Sequence, residues 1–185
     1  MNKLPVTGFF IIGISLIVAA CTPQYVKPSS KTVAEIRFRA TDNHYFAMIH
    51  TYEKPACVDP QAIGLIGGPY YVKAEGGPER LRANMIGSKG KRTSQIIETI
   101  IKAEQPFTVL YSQIGPHDSK LVRTCNLPIT FKPKAGEQYE VLYQYDTKRC
   151  YGTVSRLGQD QNGRVTYSPV ENVVKERAAC SPYRF

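Results

Sequence analysis

The sequence is poor in the residues and motifs that carry most enzyme chemistry. It has no tryptophan and only three histidines, His44, His50 and His117. It also lacks the G-x-S-x-G turn of serine hydrolases, the H-E-x-x-H zinc motif and the Lys-Ser/Thr of a phosphate-binding loop. We therefore expect no catalytic residues, no metal site and no cofactor.

What is present predicts a single folded domain. The chain has 185 residues, of which 42% are hydrophobic, and its 12 tyrosines and 7 phenylalanines are enough to fill a core. Such a composition excludes global disorder, and the length leaves little room for a two-domain cofactor enzyme. The charge is one-sided, with 24 Lys and Arg against 15 Asp and Glu, a formal net charge of +9.

The N-terminus has the anatomy of a secretory signal. Lys3 precedes an apolar run from Leu4 to Ala20, which ends in two small residues before Cys21. The run approaches the length of a membrane-spanning helix, so an uncleaved anchor is the alternative interpretation.

The segment Val18-Ala19-Ala20-Cys21 resembles the lipobox of bacterial lipoproteins. The resemblance implies that residues 1–20 are a signal peptide, that the Cys21 thiol is diacylated, and that the new amino group is acylated as well. Thr22 stands where these lipoproteins carry Asp for inner-membrane retention, which implies the periplasmic face of the outer membrane. Removing 20 of the 185 residues leaves 165, and the loss of Lys3 lowers the charge from +9 to +8.

The other cysteines predict disulfides. An even number of cysteines in an exported chain indicates two bonds, with three connectivities open. A metal site is the alternative, but no pair has C-x-x-C spacing and no histidine lies within five residues of any of them. The cysteines concerned are Cys57, Cys125, Cys150 and Cys180.

Alternating polar and apolar residues predict an all-β fold. We expect a flexible tether at 21–32 and, over 33–185, a small antiparallel β-sandwich of the immunoglobulin or transthyretin kind with seven to nine strands. The first two strand-like runs, 33–40 and 45–52, are expected to form a hairpin. Residues 95–104 fit either a strand or a helix, with a strand favoured. A short helix is expected at 171–179. The remaining strand-like runs are 62–74, 107–112, 127–131, 139–145, 150–157 and 164–170.

A second resemblance covers about 30 residues. The phrase Phe131-Lys-Pro-Lys-Ala-Gly-Glu-Gln-Tyr139-Glu-Val141, followed by Cys150 in the next strand, is similar to a stretch in small uncharacterised proteobacterial lipoproteins with a sandwich-like domain. The resemblance implies localisation and fold, and no reaction.

A run of cations without any acid between 80 and 92 is the candidate anion-binding site. A solvated surface is the simpler interpretation. Lys132, Lys134, Lys148 and Arg149 add charge beside the tyrosine-rich strands. Export excludes nucleic acid, so the anions to consider are lipid head groups, lipopolysaccharide phosphates and peptidoglycan carboxylates. The run consists of Arg80, Arg82, Lys89, Lys91 and Arg92.

These patterns predict a lipid-anchored envelope protein that acts as a binding or structural module. One alternative is an accessory subunit that tethers an envelope-spanning secretion machine. Another is an envelope hydrolase that uses His117 and Asp118, or carboxylates dispersed along the sequence. The tyrosines are expected to lie in the core, or else to form a sugar or protein docking face; they are Tyr139, Tyr143, Tyr145 and Tyr151.

Overall fold

A computed structural model of the chain describes residues 23–41, 46–52, 59–67, 84–88, 96–114, 125–145 and 149–175. Within these ranges the chain forms nine strands and no helix, so the all-β prediction is confirmed and 95–104 holds a strand. The described part accordingly has no helix of the length and hydropathy that crossing a bilayer requires. The strands are β1 (Val33–Ala40), β2 (Phe46–Tyr52), β3 (Pro60–Gly67), β4 (Ile96–Lys102), β5 (Phe107–Ile114), β6 (Asn126–Phe131), β7 (Gln138–Tyr145), β8 (Cys150–Gln159) and β9 (Val165–Pro169).

The strands form two sheets that pack face to face. One has the order β4-β1-β7-β8-β9 and the other β3-β2-β5-β6. Strand β1 shows how the sequence builds the core, because its alternate residues Ala34, Ile36 and Phe38 are all buried between the sheets. The residues between them, including Arg37, lie on the outer face. The predicted β-sandwich is confirmed.

The prediction of a wholly antiparallel sandwich is wrong at one pair of strands. β1 and β7 run parallel, with Glu35 beside Gln138 and Ala40 beside Tyr143. The predicted hairpin of β1 and β2 is also wrong, because β2 lies in the other sheet. In the immunoglobulin arrangement the first two strands share a sheet, so the order differs from that fold as well. Arg37 on the outer face of β1 gives a physical reason for the position of this strand between β4 and β7, because it pairs with one carboxylate from each of these neighbours.

The hairpin of β7 and β8 is confirmed, and its tyrosines divide between core and surface. Tyr139 and Tyr143 are buried, whereas the side chain of Tyr151 is 44% exposed. Tyr143 stacks on Tyr111 of β5 with ring centroids 5.0 Å apart. The Tyr111 hydroxyl donates to the Val141 carbonyl across the core at 2.8 Å, and burial raises the pKa of Tyr111 well above its usual value. The two sheets are thus joined by hydrogen bonding as well as by apolar contact.

One disulfide also joins the sheets. Cys125 precedes β6 in the four-stranded sheet and pairs with Cys150 at the start of β8 in the five-stranded sheet. Their Cα atoms are 6.3 Å apart, inside the range that a disulfide spans. Cys57 and Cys180 lie outside the described residues, so a second bond between them stays a prediction.

The helix expected at 171–179 is wrong over its described part. Asn172 has a left-handed backbone, with φ at 56°, which ends any right-handed helix there. Val174 instead exchanges two backbone hydrogen bonds of 2.9 Å with Thr130 of β6. Val173 packs against the core. Pairing with the edge strand β6 satisfies the backbone groups of Val174 without a helix. Residues 176–179 lie outside the described ranges.

The segment expected to be a tether is paired with the sandwich where it is described. The Pro23 carbonyl accepts from the Ala62 amide at 2.8 Å, and the Tyr25 amide donates to the Ala62 carbonyl at 2.9 Å. The Tyr25 ring packs against the core, and its hydroxyl donates to the Ile100 carbonyl at 2.9 Å. Burial raises the pKa of this tyrosine. Residues 23–25 are therefore part of the folded domain.

Candidate functional site

The phrase from Phe131 to Tyr139 forms a tight turn between β6 and β7. Phe131 ends β6 in the core and packs on the ring of Tyr139, with centroids 5.3 Å apart. Between them Gly136 adopts a left-handed backbone, with φ at 75°, a conformation that glycine tolerates at no steric cost. Its amide donates to the Val33 carbonyl at 2.8 Å, which ties the turn to the start of β1.

Two side chains fix the loop from either side. The Tyr139 hydroxyl accepts from the Lys134 amide at 2.9 Å and donates to the Glu137 carboxylate at 2.5 Å. On the other side Glu104 accepts from the Ala135 amide at 2.9 Å. The loop is thus rigid, and its lysines extend from a fixed backbone.

The loop forms one wall of a cleft of about 420 Å³, which we call the basic cleft. A cavity of this volume suits a ligand no larger than a sugar or a short peptide. The opposite wall is the segment after β9. The side chains and backbone that line the cleft are Lys132, Lys134, Glu137, Tyr139, Arg156, Pro169, Val170, Glu171 and Asn172.

The floor of the basic cleft has a defined charge state. Arg156 Nη1 lies 3.1 Å from Glu137 Oε1. The hydrogen bond from Tyr139, and then the contact with Arg156, lower the pKa of the Glu137 carboxyl. Burial and the bond to Glu137 raise the pKa of Tyr139 to about 12. At neutral pH Glu137 is therefore an anion and Tyr139 a neutral hydrogen-bond donor.

Unlike Arg156, the two lysines of the basic cleft form no salt bridge among the described residues, although the charge of Lys134 also helps to lower the pKa of Glu137. Both side chains are exposed, and no ion pair within the described residues involves Lys132 or Lys134. Their ammonium groups offer up to three donors each to a ligand. Carboxylate and phosphate oxygens are the acceptors with which ammonium and guanidinium groups form their strongest hydrogen bonds.

A second charged region, the outer-face ion cluster, consists of Arg37, Glu98 and Glu140. Arg37 Nε is 2.8 Å from Glu98, Nη1 is 3.4 Å from Glu140, and the whole residue is 0% exposed. Nη2 donates to the Ile86 carbonyl and to the Ser88 hydroxyl. Residues 84–88 thus lie across the sheet and close the cluster to solvent, which leaves no room for a ligand.

The sequence-predicted site residues fall mostly outside the described ranges. This holds for Cys21, for the basic run Arg80, Arg82, Lys89, Lys91 and Arg92, and for His44 and His117. The segment 84–88 separates the two halves of that run and is bonded to the sheet at Arg37. His50 is described; it is 7% exposed on β2, and burial lowers its pKa.

Arg156 and Glu137 were missed as site residues, whereas Tyr139 was considered only as part of a docking face. The turn phrase, which carries two lysines and a glutamate next to a tyrosine, is the signal for Glu137, and no local signal points to Arg156. Within the described ranges no three His, Cys, Asp or Glu side chains come close enough to hold a metal ion. Comparison with known protein families and with curated proteins finds no match.

Proposed function

We propose that the protein is a lipoprotein of the bacterial outer membrane, anchored through acylated Cys21 and facing the periplasm, that acts as a binding module. Its ligand is an anionic group of an envelope polymer, and the binding site is the basic cleft. The observation that carries the proposal is the pair of exposed lysines, Lys132 and Lys134, on the loop that lines the cleft, neither of which forms a salt bridge among the described residues. The signal-like N-terminus and the lipobox resemblance support the location.

Within this proposal the domain is a transthyretin-like sandwich. The sequence predicted a sandwich of the immunoglobulin or the transthyretin kind, and the position of β1 between β4 and β7 supports the transthyretin kind. An immunoglobulin-like domain would keep the first two strands in one sheet.

Binding is tested with the full acylated protein in detergent micelles. Titration with peptidoglycan fragments tests carboxylates, and titration with phosphorylated saccharides from lipopolysaccharide tests phosphates. The double variant Lys132→Gln, Lys134→Gln should weaken binding of the preferred ligand about tenfold, equivalent to about 1.4 kcal/mol. Added salt should weaken it as well, because the cleft is open to solvent.

The matched control is Lys31→Gln, Arg164→Gln, which removes the same charge from two exposed cations that do not line the cleft. Equal weakening in both double variants would mean that only the net charge matters. Absence of binding to either ligand by the unaltered protein would refute the cleft as a binding site.

The anchor is tested separately by labelling cells with palmitate. Label should enter the unaltered protein and be absent from Cys21→Ala. Incorporation that is the same in both, or absent from both, would refute lipidation at Cys21.

An accessory subunit of a secretion machine is the second candidate, and the outer face of β8 and β9 favours it. Tyr151 and Tyr167 are 44% and 48% exposed there, and exposed tyrosines are enriched at protein interfaces. Cross-linking from position 167 should then capture inner-membrane proteins in stoichiometric amount. Recovery of the protein alone would count against this candidate.

A further inference from the structure

The docked N-terminal segment restricts where the membrane lies. Pro23 and Tyr25 exchange two backbone hydrogen bonds with Ala62 of β3, 2.8 and 2.9 Å long. The Tyr25 hydroxyl adds a third bond, 2.9 Å long, to the Ile100 carbonyl of β4. Tyr25 is therefore held to both sheets at one edge of the sandwich.

Only one residue, Thr22, separates Cys21 from this docked segment. Consecutive Cα atoms are 3.8 Å apart, so the Cα atoms of Cys21 and Pro23 are at most about 7.6 Å apart. A free tether over 21–32 would instead reach roughly 36 Å when fully extended. Because residues 23–25 are docked on the sandwich, the distance between Cys21 and the domain is limited to the shorter of these two values.

We infer that the surface around Tyr25 and Val26 faces the bilayer and contacts its phosphate-bearing head groups. The inference rests on the proposed lipidation of Cys21, which places the acyl chains within two residues of Pro23. The acyl chains and the docked segment together hold the domain against the membrane in one orientation.

The chemistry of this surface fits a membrane interface. Val26 is 76% exposed. It lines a hollow of about 200 Å³ together with Pro28 and Lys102. An apolar side chain that enters the head-group region beside a lysine that meets phosphates is the pattern of interfacial binding.

The same orientation keeps the basic cleft accessible. The docked segment lies on β3, whereas Lys132 follows β6, and these strands are the two edges of the four-stranded sheet. Three strand spacings of about 4.8 Å place the two edges roughly 14 Å apart. A polymer can therefore reach the cleft from the side while the β3 edge rests on the membrane.

The absence of tryptophan from the sequence permits a direct test. Val26→Trp places a single indole on the proposed membrane surface. The matched control, Gln144→Trp, places an indole at an exposed position near the end of β7. This position is about 20 Å along the strand axis from the start of β7 at Gln138, which lies beside Glu35 of β1. Each acylated full-length variant is reconstituted in phospholipid vesicles that carry a quencher at head-group depth, and acylation is verified by intact mass.

Quenching of the indole should be several-fold greater at position 26 than at position 144. Adding Tyr25→Ala should reduce that difference, because the segment loses its ring contacts and its bond to Ile100. Equal quenching at the two positions in acylated protein would overturn the membrane-facing surface and leave the lipoprotein proposal intact. Absence of the acyl group from Cys21 would refute both.

Discussion

The outer-face ion cluster and the basic cleft are both built on β7 and use charge in opposite ways. Glu140, in the middle of β7, takes part in a closed group in which Arg37 finds two carboxylates, a carbonyl and a hydroxyl. Glu137, just before β7, belongs to an open cleft whose two lysines form no salt bridge among the described residues. A charged group with all of its partners inside the fold contributes to stability, and one without them remains available to a ligand.

The difference follows from burial. Removing one partner from a buried ion pair leaves the other charge without compensation, whereas exposed pairs contribute little. We therefore expect substitutions in the outer-face ion cluster to change the free energy of unfolding, and lysine substitutions in the basic cleft to change ligand affinity alone.

The largest expected effect is that of Arg37→Met. The variant leaves Glu98 buried without the guanidinium and leaves Glu140 with Arg39, 3.3 Å away, so the free energy of unfolding should fall by about 3–5 kcal/mol. Urea denaturation measures the change. The control is Arg164→Met, which removes an arginine whose side chain is exposed. A loss below about 1 kcal/mol for Arg37→Met would show that the cluster is not the structural element that its burial indicates.

Tyr139→Phe comes next. It keeps the ring that packs on Phe131 and removes the hydroxyl that bonds Lys134 and Glu137. The free energy of unfolding should fall by about 1 kcal/mol, the net contribution of a typical hydrogen bond. The same urea titration measures it, with the exposed Tyr167→Phe as control. No change would mean that solvent replaces these bonds without loss.

Acid should destabilise the basic cleft through Glu137. Hydrogen bonds from Tyr139 and Arg156 lower the pKa of its carboxyl in the folded protein below the reference value of 4.5. The stabilisation is therefore present above about pH 4.5 and is lost as the pH falls through the lower, folded-state pKa. Thermal unfolding from pH 6 to pH 3 should show a smaller acid loss in Glu137→Gln than in the unaltered protein. Identical profiles would contradict the assignment.

The smallest expected effect on stability is that of Lys132→Gln, Lys134→Gln. Both lysines are exposed and form no salt bridge among the described residues, so the free energy of unfolding should stay within about 0.5 kcal/mol of the unaltered value. Urea denaturation checks this in the variant already used for ligand binding. A loss comparable to that of Arg37→Met would abolish the distinction between the two regions.

Local sequence patterns predicted the strands but not which distant strands pair with one another. The alternation in β1 and the tyrosines of β7 identify two strands from the sequence alone. Nothing local indicates that these strands run parallel as neighbours, because Glu140 is 103 residues from its partner Arg37. Proximity in sequence favoured a hairpin of β1 and β2, but the buried ion pairs require β4 and β7 beside β1.

The candidate site was predictable to a similar extent. Lys132 and Lys134 are visible as cations in a turn, but Arg156 enters the basic cleft only because the register of β7 and β8 sets it opposite Tyr139. The expected helix at 171–179 was wrong over 171–175, because Val174 pairs with Thr130 at the edge of β6, which no local propensity reports.

The central position of β1 has a consequence for the order in which the domain is completed. The chain is synthesised from its N-terminus, so β1 is available first, yet the carboxylate partners of Arg37 follow 61 and 103 residues later. Until then Arg37 has neither partner, and both edges of the strand stay open to other chains. The five-stranded sheet cannot close before β7 is available, whereas β2 and β3 can pair early. Such non-local closure is slow, and it leaves the incomplete chain prone to aggregation until β7 pairs.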